Sequence, residues 1–115
     1  MSVQVVLLCE DLQLATFMRR FLKLRGWQGH AIREEIAPPG QGSAEQWVRE
    51  RYPHELTAMR SRSGMSILAV GTDADIIPVA DRIATLDLEC RAQGVAKRTA
   101  EDPVVMVVPK RNIET

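Results

Sequence analysis

Three carboxylates stand where short apolar runs stop. Glu10 follows Val3-Gln4-Val5-Val6-Leu7-Leu8-Cys9, and Asp73 and Asp75 follow Ser66-Ile67-Leu68-Ala69-Val70-Gly71-Thr72. Acidic side chains at the ends of two neighbouring strands form an oxygen-rich pocket of the kind that suits Mg²⁺ or Mn²⁺. The one-residue gap between Asp73 and Asp75 helps, because in extended chain both point to one face and in a turn both reach one ion. Crowded carboxylates repel, and a divalent cation removes that cost. Each acid also has a plainer explanation. An Asp-x-Asp after a strand serves as a helix cap and a solvated loop residue, and an acid at a helix start answers the dipole. Their conjunction at two strand ends points to chemistry.

Cations stand nearby in the sequence pattern. Lys110 and Arg111 follow the last apolar run, Val104-Val105-Met106-Val107-Val108, and so are expected at the same sheet edge as the acids. There Lys110 would join the catalytic groups and Arg111 would contact a phosphate. Arg19, Arg20, Lys23 and Arg25 read as an ordinary solvated helix face. His30 and His54 have no partner at metal-ligand spacing and read as surface residues, and Trp27 and Trp47 read as packing. Gly40-Gln41-Gly42-Ser43 lacks the Gly-Lys-Ser/Thr ending of a nucleotide-binding loop and reads as a loop and cap.

The elements that must position these residues are legible as alternating strands and helices. Val3 to Cys9 is β-branched and almost wholly apolar, the mark of a strand buried on both faces. Asp11 is a good N-cap, and Leu14, Phe17, Met18, Phe21 and Leu22 recur at helical spacing until Gly26. Trp27 to Ile36 mixes charge with apolar residues and is expected as an edge strand. Ala37 to Gly42 is a loop, and Ser43-Ala44-Glu45-Gln46 is a capping box opening a helix. Val48, Tyr52, Leu56 and Met59 form the apolar face of that helix, and Pro53 predicts a kink or two short helices around Tyr52. After the run ending at Asp73, Pro78 opens a helix whose stripe is Val79, Ile83, Leu86 and Cys90, and Gly94 ends it. Val95 to Pro103 is a polar connection to the last strand.

This β-α-β-α-β-α-β order predicts a single α/β domain over residues 1–115, with a four-stranded, mainly parallel sheet flanked by three helices. The first and third strands are the most apolar of the first three and are placed side by side in the centre. Composition agrees with a globular domain: 45% of residues are apolar and 26% charged. Lys+Arg and Asp+Glu number 15 each, so net charge supplies no attraction to a polyanion. Cys9 and Cys90 sit in apolar patterns and read as core thiols of a reduced, cytoplasmic protein. No apolar run is long enough to span a membrane, and Met1 to Leu8 lacks the basic flank and cleavage site of a signal peptide.

Glu10 after the first strand, Asp73-Ala74-Asp75 after the third, and the compact β/α alternation resemble the TOPRIM domain. This is the Rossmann-like catalytic fold of topoisomerases, primases and the overcoming-lysogenization-defect nucleases. The tail Pro109-Lys110-Arg111-Asn112-Ile113-Glu114-Thr115 is similar to the end of stand-alone TOPRIM-like proteins associated with antiviral, anti-phage defence. The resemblance implies Mg²⁺-dependent nuclease activity, a hydrolase cleaving phosphodiesters of DNA or RNA, tRNA included. Glu10 would be the acid/base or metal-ligand glutamate, and Asp73 and Asp75 the metal-binding pair. Two positions depart from the family: Asp11 stands where glycine usually follows the glutamate, and Leu14 where the nuclease branch often carries another acid. The end of the sequence directly after its last strand predicts C-terminal truncation, with a further segment or a protein partner completing the groove.

Two other readings stay open. Val5 to Asp11 followed by an amphipathic helix resembles the start of a response-regulator receiver, in which Glu10 and Asp11 would hold Mg²⁺, Asp73 would accept a phosphoryl group and Lys110 would contact it. A receiver has five strands and a shorter gap between its acid pair and its phosphoacceptor. The remaining reading is a catalytically inactive sheet serving as an interaction module.

Overall fold

The computed structural model describes residues 3–40, 42–62, 65–73 and 77–109. β1 spans Gln4–Cys9, and every residue after Gln4 is buried. It is hydrogen-bonded along both edges, to β2 (Ile32–Ile36) and to β3 (Ser66–Gly71), while β4 (Val104–Val107) lies outside β3. All pairs are parallel and the order is β2-β1-β3-β4. The two uninterrupted apolar strands thus take the centre, paired along both edges, and the charged Arg33-Glu34-Glu35 segment is tolerated at an edge.

The order reverses direction once. α1 (Leu12–Leu24) carries the chain outward from β1 to β2. α2 (Ala44–Ser61) then brings it back past β1 to β3, and α3 (Val79–Ala92) carries it on to β4. Right-handed crossovers in opposite senses place α1 on one face and α2 with α3 on the other. The core divides accordingly. Val6, Leu8, Leu68 and Val70 pack with Val48, Tyr52, Leu56, Met59, Leu86 and Cys90. Val5, Leu7, Cys9 and Ala69 pack with Ala15, Met18 and Ile32 on the other side.

Local chemistry accounts for most element ends. The Asp11 carboxylate accepts from the Leu14 N–H at 2.8 Å, and α1 stops before Gly26, whose φ of 98° suits only glycine without strain. The Ser43 hydroxyl accepts from the Gln46 N–H at 3.2 Å, but the Gln46 amide turns away to Glu50, so one arm of the expected capping box forms.

Four expectations are corrected. β2 begins at Ile32 and not near Trp27, because the Trp27 N–H still bonds to the Leu22 carbonyl at the close of α1 and residues Gly29–Ala31 form a 3₁₀ turn. Of the two alternatives at Pro53, two short helices are excluded: α2 is one continuous helix through it. A proline removes a single helical hydrogen bond, and here a buried stripe from Val48 to Met59 runs across it. Arg19 does not simply face solvent: it pairs with Glu34 on β2 at 2.7 Å and donates to the Ile32 carbonyl. Phe17 and Phe21, expected on the buried face of α1, are exposed, because among the described residues α1 is the one helix on its side and none covers the β3–β4 half of that face. Among the described residues no helix is long and apolar enough to cross a membrane.

Candidate functional site

The crossover reversal lies between β1 and β3, and their register pairs Cys9 with Gly71 at the carboxyl end. Chains leaving two central strands in opposite directions open a crevice there, the usual ligand position in open α/β sheets. Glu10 and Asp73 enter this crevice side by side. A cleft of about 440 Å³ at that edge is lined by Glu10, Asp11, Leu14, Phe17, Asp73 and Val107, among others.

Backbone and side chains fix Glu10 closely. Its N–H donates to the Gly71 carbonyl at 3.2 Å. Its carboxylate Oε2 accepts from the Thr72 hydroxyl and from the Asp73 N–H, the latter at 3.1 Å. Thr72 is buried and its own N–H donates to Val107, which ties β4 to the same point. Gly71 lets α1 approach: a Cβ there would lie 2.8 Å from Met18 Sδ and 2.9 Å from Leu14 Cδ2. The first turn of α1 therefore sits directly over the end of β3, closing one wall of the cleft.

The electrostatics shift the Glu10 pKa upward. Burial pushes its carboxyl above the ordinary glutamate value, and the neighbouring Asp73 charge adds to this. The Thr72 and Asp73 hydrogen bonds and the positive charge of Arg82 act in the opposite direction and do not cancel the burial. Glu10 therefore holds its proton to higher pH than a solvated glutamate does. Cys9, the residue before it, is pushed up to about 12 by burial and is chemically inert.

The expected site residues are brought together in part. Glu10 and Asp73 meet. Asp11 lines the cleft, but one carboxylate oxygen is committed to the N-cap of α1. Asp75, Lys110 and Arg111 lie outside the described residues. Among the described residues no group of three His, Cys, Asp or Glu side chains is placed to hold a metal ion. Glu10 and Asp73 together are hard oxygen donors, a set that fits a hydrated Mg²⁺ keeping several waters and does not make a dry protein cage. His30 and His54 are exposed.

Arg82 is the residue the sequence pattern did not single out. It stands early in α3, is largely buried, pairs with Glu45 at 3.0 Å and leaves its Nε without a hydrogen-bond partner among the described residues. Its charge is felt at Glu10. A cation at a helix start runs against the dipole, and that was the available signal.

Comparison of the chain with family models, with curated proteins and with solved structures yields no match.

Proposed function

We propose that this chain is a TOPRIM-type, Mg²⁺-dependent nuclease domain that cleaves nucleic-acid phosphodiesters. The supporting observation is that Glu10 and Asp73 leave adjacent central strands into one crevice, with Glu10 in surroundings that favour its protonated form. Bound Mg²⁺, or Mn²⁺ in its place, would supply positive charge at the phosphate and an acidified water. Asp73 would hold the metal, with Asp75 as the second ligand of the proposal. Glu10 would share the metal or move a proton at Oε2, where Thr72 and the Asp73 N–H orient the carboxyl. Arg82 would offset negative charge at the crevice, a role the proposal also gives to Lys110 and Arg111. Lys+Arg and Asp+Glu balance at 15 each, so grip on DNA, RNA or tRNA would come from a protein partner or a further segment of chain.

The test is a cleavage assay on mixed DNA and RNA with Mg²⁺ or Mn²⁺, using the longest natural form of the chain and its native partners. Glu10→Gln and Asp73→Ala should each lower the rate by about 100-fold or more, the usual effect of losing a positioned acid/base or metal ligand. Variants cutting as fast as the parent would refute the assignment.

A receiver-like phosphoacceptor is the second reading, and the strand order favours it: β2-β1-β3-β4 with acids after β1 and β3 is the arrangement of flavodoxin-like sheets. The capping role of Asp11 weighs against it, because a receiver needs that carboxylate for metal. Acetyl phosphate should leave Asp73 unlabelled if the nuclease reading holds.

A further inference from the structure

α1 carries two apolar stripes. One, Ala15 and Met18, is buried against its own sheet. The other is Leu14, Phe17, Phe21 and Leu24, spaced three, four and three residues apart, the seam spacing of helices that pack on one another. Its last three members are 62%, 48% and 80% exposed. At 3.6 residues per turn the second stripe points about a third of a turn away from the first. It overhangs the half of the sheet that no other described residue covers, and between them runs an apolar trough of about 400 Å³ lined by Phe17, Phe21, Trp27, Ile67, Val105 and Val107.

The trough has opposite charges at its two ends. Past Phe17 and Val107 it continues into the cleft of Glu10, Asp11 and Asp73. Past Trp27 it continues into a hollow lined by Arg25 and His30, with Lys23 on the last turn of α1. An occupant that fits is therefore elongated, apolar in the middle, basic where it meets Asp11 and acidic where it meets Arg25. α1 read in reverse has this pattern, since it is preceded by Glu10-Asp11, carries the Phe17–Leu24 seam and closes on Lys23 and Arg25.

We infer that a second copy of this chain packs antiparallel along α1 and fills the trough, forming a two-fold symmetric dimer. With the axis between Phe17 and Phe21, Phe17 faces the partner's Phe21, Leu14 faces the partner's Leu24, and Asp11 comes near the partner's Arg25. Such an interface is self-complementary in both shape and charge. The aromatic pair forms its buried centre, where binding energy concentrates. An anionic lipid surface would suit the Lys23–Arg25 end alone and would be repelled at the Glu10–Asp73 end. The inference concerns the faces of α1 and does not depend on the chemistry of the cleft.

The test is sedimentation equilibrium of the full chain over a dilution series. The parent should reach twice its 12.9 kDa mass. Phe17→Glu and Phe21→Glu should each raise the dimer dissociation constant at least ~30-fold, the effect of losing one central aromatic anchor. Their circular dichroism should match the parent, because both rings are exposed in the single copy. Arg25→Glu should weaken the dimer as well, by setting like charges against Asp11. A parent that stays at 12.9 kDa at every concentration overturns the inference, as does dimerisation undiminished by both glutamate variants. A monomeric parent that sediments with anionic vesicles overturns it in favour of a lipid surface.

Discussion

Thr72→Val isolates the contact that orients Glu10. Thr72 is 1% exposed, and its hydroxyl donates to Glu10 Oε2. Valine keeps the branched shape and removes the donor. A hydrogen bond to a charged group is worth roughly 1.5–3 kcal/mol net, and because Glu10 is only half-buried the lower part of that range, ~1.5–2 kcal/mol, applies. The loss depends on pH, because a carboxylate needs the donor more than a neutral carboxyl does. The folded-state pKa of Glu10 already lies above the ordinary 4.5, so the protein loses stability as pH rises from that value through the folded pKa. Removing the Thr72 donor raises the folded pKa further. The gap between parent and Thr72→Val should therefore be small in acid, widen as pH rises through the Glu10 titration, and level off above it. Denaturant unfolding across that range gives the gap, and carboxyl NMR of Glu10 gives the titration directly. Thr72→Ser keeps the hydroxyl and should retain most of the parent behaviour. A gap constant with pH, or a Glu10 titration identical in parent and valine variant, would show that Thr72 contributes packing alone.

Gly71→Ala should cost about 1–3 kcal/mol, because the added Cβ would lie 2.8 Å from Met18 Sδ and 2.9 Å from Leu14 Cδ2. Leu14→Ala on that background should restore part of it, read as a coupling in denaturation midpoints. Asp102 is held down to about 2 by its hydrogen bonds from Arg60 and the Thr99 N–H. Its stabilising contribution is complete above the ordinary value of 3.8 and disappears as pH falls through about 2. Asp102→Asn should accordingly unfold earlier than the parent at neutral pH and converge with it in acid, as followed by thermal melts. Glu10→Gln should be at least as stable as the parent at neutral pH, since the amide oxygen can accept both hydrogen bonds without carrying charge; a markedly lower melting point would make Glu10 a structural residue.

The four strands, the three helices and the central pairing of β1 with β3 were legible because, apart from the charge-mixed β2, the elements keep a hydrophobic pattern of their own. Caps at Asp11 and Ser43 were legible because they are local, a side chain meeting an N–H three residues on. Apart from the start of β2, which a local turn delays, the misjudged points depended on partners distant in sequence. Periodicity places Phe17 and Phe21 on an apolar side of α1, but it does not say how many helices cover the sheet. Arg19 reads as a solvated cation until β2 brings Glu34 beside it. Pro53 breaks helices by propensity, yet the buried stripe of α2 runs through it.

The site was legible to the same depth and for the same reason. Two apolar strands, each followed by an acid, become neighbours wherever the sheet order reverses between them, so the meeting of Glu10 and Asp73 follows from topology. Topology does not distinguish a catalytic acid from an acceptor that merely ends a strand. The surroundings of Glu10 do bear on it. A side chain whose whole task was to accept from Thr72 and from the Asp73 N–H would serve as well or better as an amide, which has no charge to desolvate. Here a carboxyl occupies the place, its charged form disfavoured by burial and by Asp73, with the Thr72 and Asp73 N–H hydrogen bonds and Arg82 only partly offsetting them. Unfavourable placement of an ionisable group beside an open cleft is what proton transfer requires and what stability alone would not select. That asymmetry between acid and amide, and not the spacing of the acids, is the strongest physical reason to look for chemistry at this edge of the sheet.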